Sequence, residues 1–129
     1  DVNAVGTTDG TPIILWPNST PSTLNQQWKV QNLGDGYYKL SPLHAPAKVL
    51  DVKDAGVING TKLQIYTDNG TVAQKWQIKN VGNGYFVMTP ANAPSKQVEG
   101  TGGSATNGAT IQLSAPGINN AQKFKFIKQ

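Results

Sequence analysis

Apolar residues recur at every second position in short runs along this chain: Lys62-Leu63-Gln64-Ile65-Tyr66, Lys75-Trp76-Gln77-Ile78 and Thr110-Ile111-Gln112-Leu113. A period of two sends alternate side chains to opposite faces of an extended backbone, so each run predicts a half-buried β-strand. Between the runs stand dipeptides suited to tight turns, Asp9-Gly10, Asp35-Gly36, Asn59-Gly60, Asn69-Gly70, Asn83-Gly84 and Asn107-Gly108. No stretch has the length and periodicity of an amphipathic helix. The pattern predicts an all-β fold.

The pattern also repeats. Trp28, Trp76 and Phe124 are spaced by 48 residues, and each follows a glutamine by two positions, at Gln26, Gln74 and Gln122. Asp1-Val2 aligns with Asp51-Val52 and more loosely with Glu99-Gly100; Ile13, Leu63 and Ile111 coincide, as do Leu15, Ile65 and Leu113. The chain is a threefold internal repeat, with copies at 1–48, 49–96 and 97–129 of one domain spanning 1–129. A unit of this size cannot bury its own apolar face and must bury it against its copies. Three units are too few to close a propeller. They suit a β-trefoil, with Trp28, Trp76 and Phe124 as core aromatics near the pseudo-threefold axis. Copy one is longer by two residues between Trp16 and Trp28, in the Pro-rich stretch Pro17 to Ser22, which predicts a longer surface loop.

Composition narrows the chemistry. The 129 residues allow one core. Absence of cysteine excludes a disulfide framework and a thiolate metal site, and no apolar run reaches the length of a membrane span. The net charge of +4 comes from eleven lysines, scattered along the chain, without one arginine. Nucleic-acid recognition leans on arginine for bidentate contacts, so a solvated basic surface is the better reading. No cofactor or metal is called for.

The glutamine-x-tryptophan triplet, with Leu50-Asp51-Val52 ahead of an Asn-Gly turn and then Leu63-Gln64-Ile65-Tyr66, resembles the ricin B-chain-type β-trefoil lectins, also classed as carbohydrate-binding module family 13. The resemblance covers the whole chain. It implies a secreted or extracellular sugar-binding domain without catalysis of its own, either a free lectin or the appendage of a glycoside hydrolase. Galactose-type or xylan-type glycans are the implied partners. In the family the acid lies in the Leu-Asp-Val strand, an aromatic platform ends the next strand, and further polar groups come from the loop before the glutamine-x-tryptophan.

A sugar presents an apolar C–H face and a ring of hydroxyls, so a shallow pocket needs an aromatic platform, a carboxylate and amides. In copy two, Asp51 accepts from hydroxyls, Tyr66 stacks, Gln64 and Asn69 add polar contacts, and Gln74 braces Asp51. Ala73 stands where asparagine is common in the family. Copy one offers Asp1, Trp16, Asn25 and Gln26, with Ile14 where glutamine is often seen. Its acid, as the first residue, is expected to be loosely held. In copy three Glu99, Gln112 and Gln122 remain, but Ser114 replaces the aromatic and Ala121 the asparagine, which predicts a weak or dead site.

Each assignment has a plainer counterpart. Gln26, Gln74 and Gln122 can satisfy buried backbone rather than touch sugar. Asp51 can be a turn-forming carboxylate, and Trp16 and Tyr66 can simply cover loops. His44, alone in a Pro-rich turn, reads as a surface residue. Catalysis finds little footing, because the copies spread Asp1, Asp51 and Glu99 around the threefold axis rather than across one scissile bond. A second class remains: β-trefoil protease inhibitors or interaction modules act through a protruding loop, for which Pro17 to Thr23 is the candidate. Inhibitors of this fold do not generally carry the glutamine-x-tryptophan triplet.

Relative to a full third copy, the stretch equivalent to Gly34 through Leu50 is absent, and with it the strand matching Tyr37 to Ser41. One strand of the full trefoil is therefore missing at the termini, leaving an exposed sheet edge. Excision from a larger parent accounts for this most directly; an adjoining domain or a second subunit over the gap is the other account. Asn18-Ser19-Thr20, Asn59-Gly60-Thr61 and Asn69-Gly70-Thr71 are glycosylation acceptor sequons, as expected of a secreted glycoprotein. A glycan on Asn69 would remove it from the copy-two pocket.

Overall fold

The computed structural model describes residues 1–117 and 119–128. Its strands are β1 (Trp28–Asn32), β2 (Tyr38–Pro42), β3 (Lys48–Val52), β4 (Leu63–Thr67), β5 (Trp76–Gly82), β6 (Tyr85–Pro90), β7 (Gln97–Gly100) and β8 (Ile111–Ser114). The alternating runs at 62–66, 75–78 and 110–113 thus become β4, the start of β5, and β8.

Two kinds of pairing recur in each copy. β3 pairs antiparallel with β4 and β7 with β8, while copy one reduces the same pair to a bridge between Val2 and Ile13. Bridges Pro12 to Gln64, Lys62 to Gln112 and Ile14 to Thr110 join the three copies in a ring. The second kind is the hairpin β1–β2 and its counterpart β5–β6, which join through Tyr38 opposite Trp76 into a four-stranded sheet. Phe86 pairs in the same way with Phe124. This is a β-trefoil.

The inward side of every strand feeds one core, centred on Val2, Val52, Leu63, Ile65, Trp76 and Leu113. The three aromatics share it unequally. Trp76 is 0% exposed and donates its indole N–H to Leu50 O at 3.1 Å, whereas Trp28 and Phe124 are only partly buried against the core. All three aromatics thus belong to or pack against the core, as expected, but to unequal depth. Trp76 has a hairpin on each side of it, β1–β2 and β5–β6, and the other two each have one.

Short 3-10 turns precede each aromatic, at Leu24–Gln26, Val72–Gln74 and Asn120–Gln122, and end on the glutamine of each copy, buried at Gln74 and Gln122 and partly buried at Gln26. A second set follows each acid, at Asn3–Val5, Lys53–Ala55 and Thr101–Gly103, and enters the left-handed region at Ala4, Asp54 and Gly102. His44 and Asn92, matched in the repeat, brace this set: His44 Nε2 lies 2.9 Å from Gly6 O, and Asn92 Nδ2 donates to Ala55 O at 3.0 Å. His44 is half-buried in that role rather than a free surface residue.

Candidate functional site

In each copy a carboxylate at the end of the first strand is gripped on both oxygens by two side-chain amides. In copy two, Gln64 Nε2 donates to Asp51 Oδ1 at 2.9 Å and Gln74 Nε2 to Asp51 Oδ2 at 3.1 Å. In copy three, Gln112 Nε2 reaches Glu99 Oε1 at 3.3 Å and Gln122 Nε2 reaches Glu99 Oε2 at 3.0 Å. Copy one reproduces the grip with a different residue: Asn25 Nδ2 donates to Asp1 Oδ1 at 2.8 Å and Gln26 Nε2 to Asp1 Oδ2 at 2.9 Å. Asp1 is therefore held as firmly as its counterparts, contrary to the expectation of a loose first residue.

The glutamine before each aromatic does more than brace the acid. Gln26, Gln74 and Gln122 also donate to Pro17 O, Thr67 O and Ala115 O at 2.8, 3.0 and 2.8 Å. Their Oε1 atoms accept from the backbone N–H of Ser19, Asn69 and Gly117 at 2.9, 2.9 and 2.8 Å. A primary amide has two N–H donors, and here both are used. These residues position the acid and close the following loop, so none has a donor to spare for a hydroxyl.

Asp51 is 6% exposed. Burial pushes its carboxyl above the ordinary range, against the two amide hydrogen bonds, which favour the charged form; nearby Asp54 and Asp9 push it up further. Each carboxylate oxygen carries two acceptor sites, so one amide per oxygen leaves a lone pair for a ligand O–H.

The aromatic expected as the platform lies on the strand of Gln64. Tyr66 follows Gln64 by two residues on β4, which puts both on the face that carries Asp51, the cross-strand partner of Gln64. Tyr66 is 38% exposed, and Trp16, at the matching position of copy one, is 56% exposed. Ser114 takes this place in copy three. There Lys62 Nζ donates to Gln112 Oε1 and Thr101 Oγ1, both at 2.9 Å. Asn69 is exposed on the loop after β4, its Oδ1 accepting from Thr71 N at 3.1 Å.

One neighbour of the copy-two carboxylate was not legible as such. Asp9, from the turn of copy one, accepts from Thr67 N at 2.7 Å and from Lys48 Nζ at 2.6 Å. The hydrogen bond from Lys48 is the main cause that lowers its carboxyl below the ordinary range. Asp9-Gly10 reads as a turn, but its partner lies 58 residues away and only the ring of copies brings it there.

A sequence model of the family described as "Ricin-type beta-trefoil lectin domain-like" matches residues 1–66 and 24–114, two overlapping segments that together span most of the chain. The chain belongs to this family. No curated protein matches the sequence. Among solved structures, this ricin-type domain superposes on a designed 3-fold symmetric protein, ThreeFoil, with a TM-score of 0.94 at 29% identity, over 100% of this chain and 89% of that one. An exo-β-1,3-galactanase from Clostridium thermocellum follows at TM-score 0.90 and 28% identity; 97% of this chain corresponds to 26% of the enzyme. The ricin B-like lectin of Macrolepiota procera, solved in complex with lactose, shares the fold at TM-score 0.71 and 19% identity, over 85% of this chain and 74% of the lectin.

Proposed function

We propose that this chain is a non-catalytic glycan-binding module that takes galactose-type sugars in the shallow pockets of copies one and two. One observation carries the reading: each of the two copies pairs a carboxylate gripped on both oxygens by amides with an exposed aromatic at the matching repeat position, Tyr66 and Trp16. Membership of the ricin-type family supports sugar binding, and the lactose complex of one structural neighbour and the galactan specificity in the name of another favour galactosides over xylans.

Asp51 and Tyr66 form the copy-two site, and Asp1 and Trp16 the copy-one site, with Gln64 or Asn25 orienting the acid. Copy three keeps the acid without a platform and contributes little. Two weak pockets engaging one branched or polymeric glycan raise the overall affinity without any new contact. A secreted location and the attachment of the module to an enzyme fit the same reading.

The test is a glycan-array screen followed by titration with lactose, β-1,3-galactobiose and xylo-oligosaccharides. Specific galactoside binding, lost when Trp16→Ala and Tyr66→Ala are combined, is the expected outcome. A blank array with folded protein would overturn the reading, and binding of xylo-oligosaccharides alone would overturn the choice of sugar.

A further inference from the structure

A polar cleft of about 240 Å³ lies between the hairpin of copy one and the loop that leaves β4. Lys29, Gln31, Lys39 and Ser41 line it from the hairpin, and Asp68 from the loop. The four hairpin residues share one face, because Lys29 stands opposite Ser41 and Gln31 opposite Lys39, with Val30 and Leu40 between them on the other face. Leu40 is buried in the core, so the polar face is the outward one.

The cleft adjoins the copy-two pocket. Asp68 follows Tyr66 by two positions, and its N–H donates to Ala47 O at 3.4 Å, which carries the register of Lys48 opposite Thr67 one step further. Two steps along a strand separate Tyr66 and Asp68 by about 7 Å and leave their side chains on the same side of the ribbon. The unit next to a ring stacked on Tyr66 thus falls within reach of Asp68 and its partner Lys39.

Charge in the cleft is unbalanced. Lys39 Nζ lies 2.6 Å from Asp68 Oδ2, and Lys39 is the more buried of the two, its side chain 21% exposed against 38%. Lys29 takes part in neither ion pair found among the described residues. It is the diagonal neighbour of Lys39 across β1 and β2, about 7–8 Å away. Two ammonium groups therefore face one carboxylate, and of the three donors on Lys39 only one is engaged by Asp68. Like charges held this close repel, and an anion between them relieves the repulsion.

The repeat supplies a control. At the next junction Val87 stands in the place of Lys39, Pro116 in that of Asp68 and Gln77 in that of Lys29. The hairpin β5–β6 forms with the same pairing and without these charges, so they are not a condition of the fold.

We propose that this cleft is a subsite for an anionic group, a carboxylate or a sulfate, on the sugar unit next to the one held at Asp51 and Tyr66. The inference rests on the reading of copy two as a galactoside pocket and widens its ligand class to acidic galactosides. Lys29 and Lys39 donate to the anion, Gln31 and Ser41 serve the hydroxyls around it, and Asp68 holds Lys39 in place while tempering its attraction.

Lactobionate and lactitol form the probe pair: both keep the galactose of lactose, and their open-chain neighbouring unit differs by a carboxylate in place of a hydroxymethyl group. Lactose sulfated on its glucose O6, compared with lactose, probes the other anion. In a Trp16→Ala background at low salt, calorimetric titration should show an acidic ligand bound about threefold or more tighter than its neutral counterpart. Raising the salt to about 0.5 M should erase the preference. A preference for one anion alone supports the subsite and identifies its anion. Lys29→Gln combined with Lys39→Gln should remove the preference with lactose affinity and the urea midpoint little changed. Asp68→Asn should enlarge it, a gain that mere loss of a structural contact does not produce. Equal affinity within both pairs, or a preference that survives high salt or the double lysine substitution, overturns the proposal; lactose binding in that case leaves the galactoside reading standing. No binding of any of the four ligands overturns both.

Discussion

Asn25 and Gln64 stand at non-equivalent positions of their repeats, yet each brings an amide N–H to Oδ1 of its copy's aspartate, at 2.8 and 2.9 Å. Where copy one has Asn25, copy two has Ala73; where copy two has Gln64, copy one has Ile14. Within each copy the amide that is kept thus makes up for the one that is lost, Asn25 for Ile14 and Gln64 for Ala73. A buried acceptor deprived of its donor costs about 1–3 kcal/mol, so Gln64→Ile should lower stability by that order and weaken copy-two binding. Adding Ala73→Asn to that variant should return most of both losses, a coupling of about 0.5–3 kcal/mol. Urea denaturation and lactose titration in a Trp16→Ala background read the cycle; strictly additive losses would refute the compensation.

The platforms are the part of the site that stability should not feel. Tyr66 and Trp16 are exposed, and surface substitutions usually change folding by less than about 0.5 kcal/mol. Stacking of an aromatic contributes about 0.5–1.5 kcal/mol beyond area burial, so Tyr66→Ala should weaken copy-two binding roughly two- to tenfold with the urea midpoint little changed. Calorimetric titration with lactose checks it. A large fall in midpoint would return Tyr66 to the role of a loop cover.

The core aromatics should separate in the opposite experiment. Trp76 is 0% exposed and its indole N–H is bonded to Leu50 O, so Trp76→Ala should cost about 3–5 kcal/mol. Trp28→Ala removes a side chain only partly buried against the core and should cost clearly less. Equal losses in urea unfolding would mean that Trp28 is as fully buried in solution as Trp76.

The repeat made the fold legible before any coordinates, because spacing is a property of sequence alone. Period-two runs located β4, β5 and β8, and the Asn-Gly and Asp-Gly pairs located the turns. The alignment of Asp1, Asp51 and Glu99, and of Trp16 with Tyr66, was legible for the same reason. What was not legible arises between copies. Asp9 meets Thr67 and Lys48 only because the ring of bridges carries a turn of copy one to a strand of copy two. The unequal burial of Trp28 and Trp76 depends on how many hairpins flank each, which identical local sequence cannot encode. The dual use of Gln74, with one N–H on Asp51 and one on Thr67 O, follows from a loop closure of seven residues whose geometry no pattern specifies.

The pH response follows from the two aspartates whose carboxyls move in opposite directions. Asp51 is pushed up, chiefly by burial, so the folded state holds its proton more tightly than the unfolded chain does. Its contribution to stability is therefore largest in acid and declines as pH rises from the ordinary aspartate value, about 3.9, through the raised folded value. Asp9 is pulled down, chiefly by the hydrogen bond from Lys48, so what it contributes is present above the ordinary value and is lost as pH falls through the lowered one. Relative to Asp51→Asn, the wild-type chain should gain stability as the pH is lowered through the raised value, while relative to Asp9→Asn it should lose stability at lower pH still. Sugar binding by copy two needs Asp51 ionised as an acceptor, so it should weaken on acidification at a higher pH than a free aspartate would titrate. Urea midpoints of the three proteins across pH 3 to 7, with lactose titrations at the same points, distinguish these arms; binding that holds constant until the ordinary aspartate value would exclude Asp51 as the acceptor.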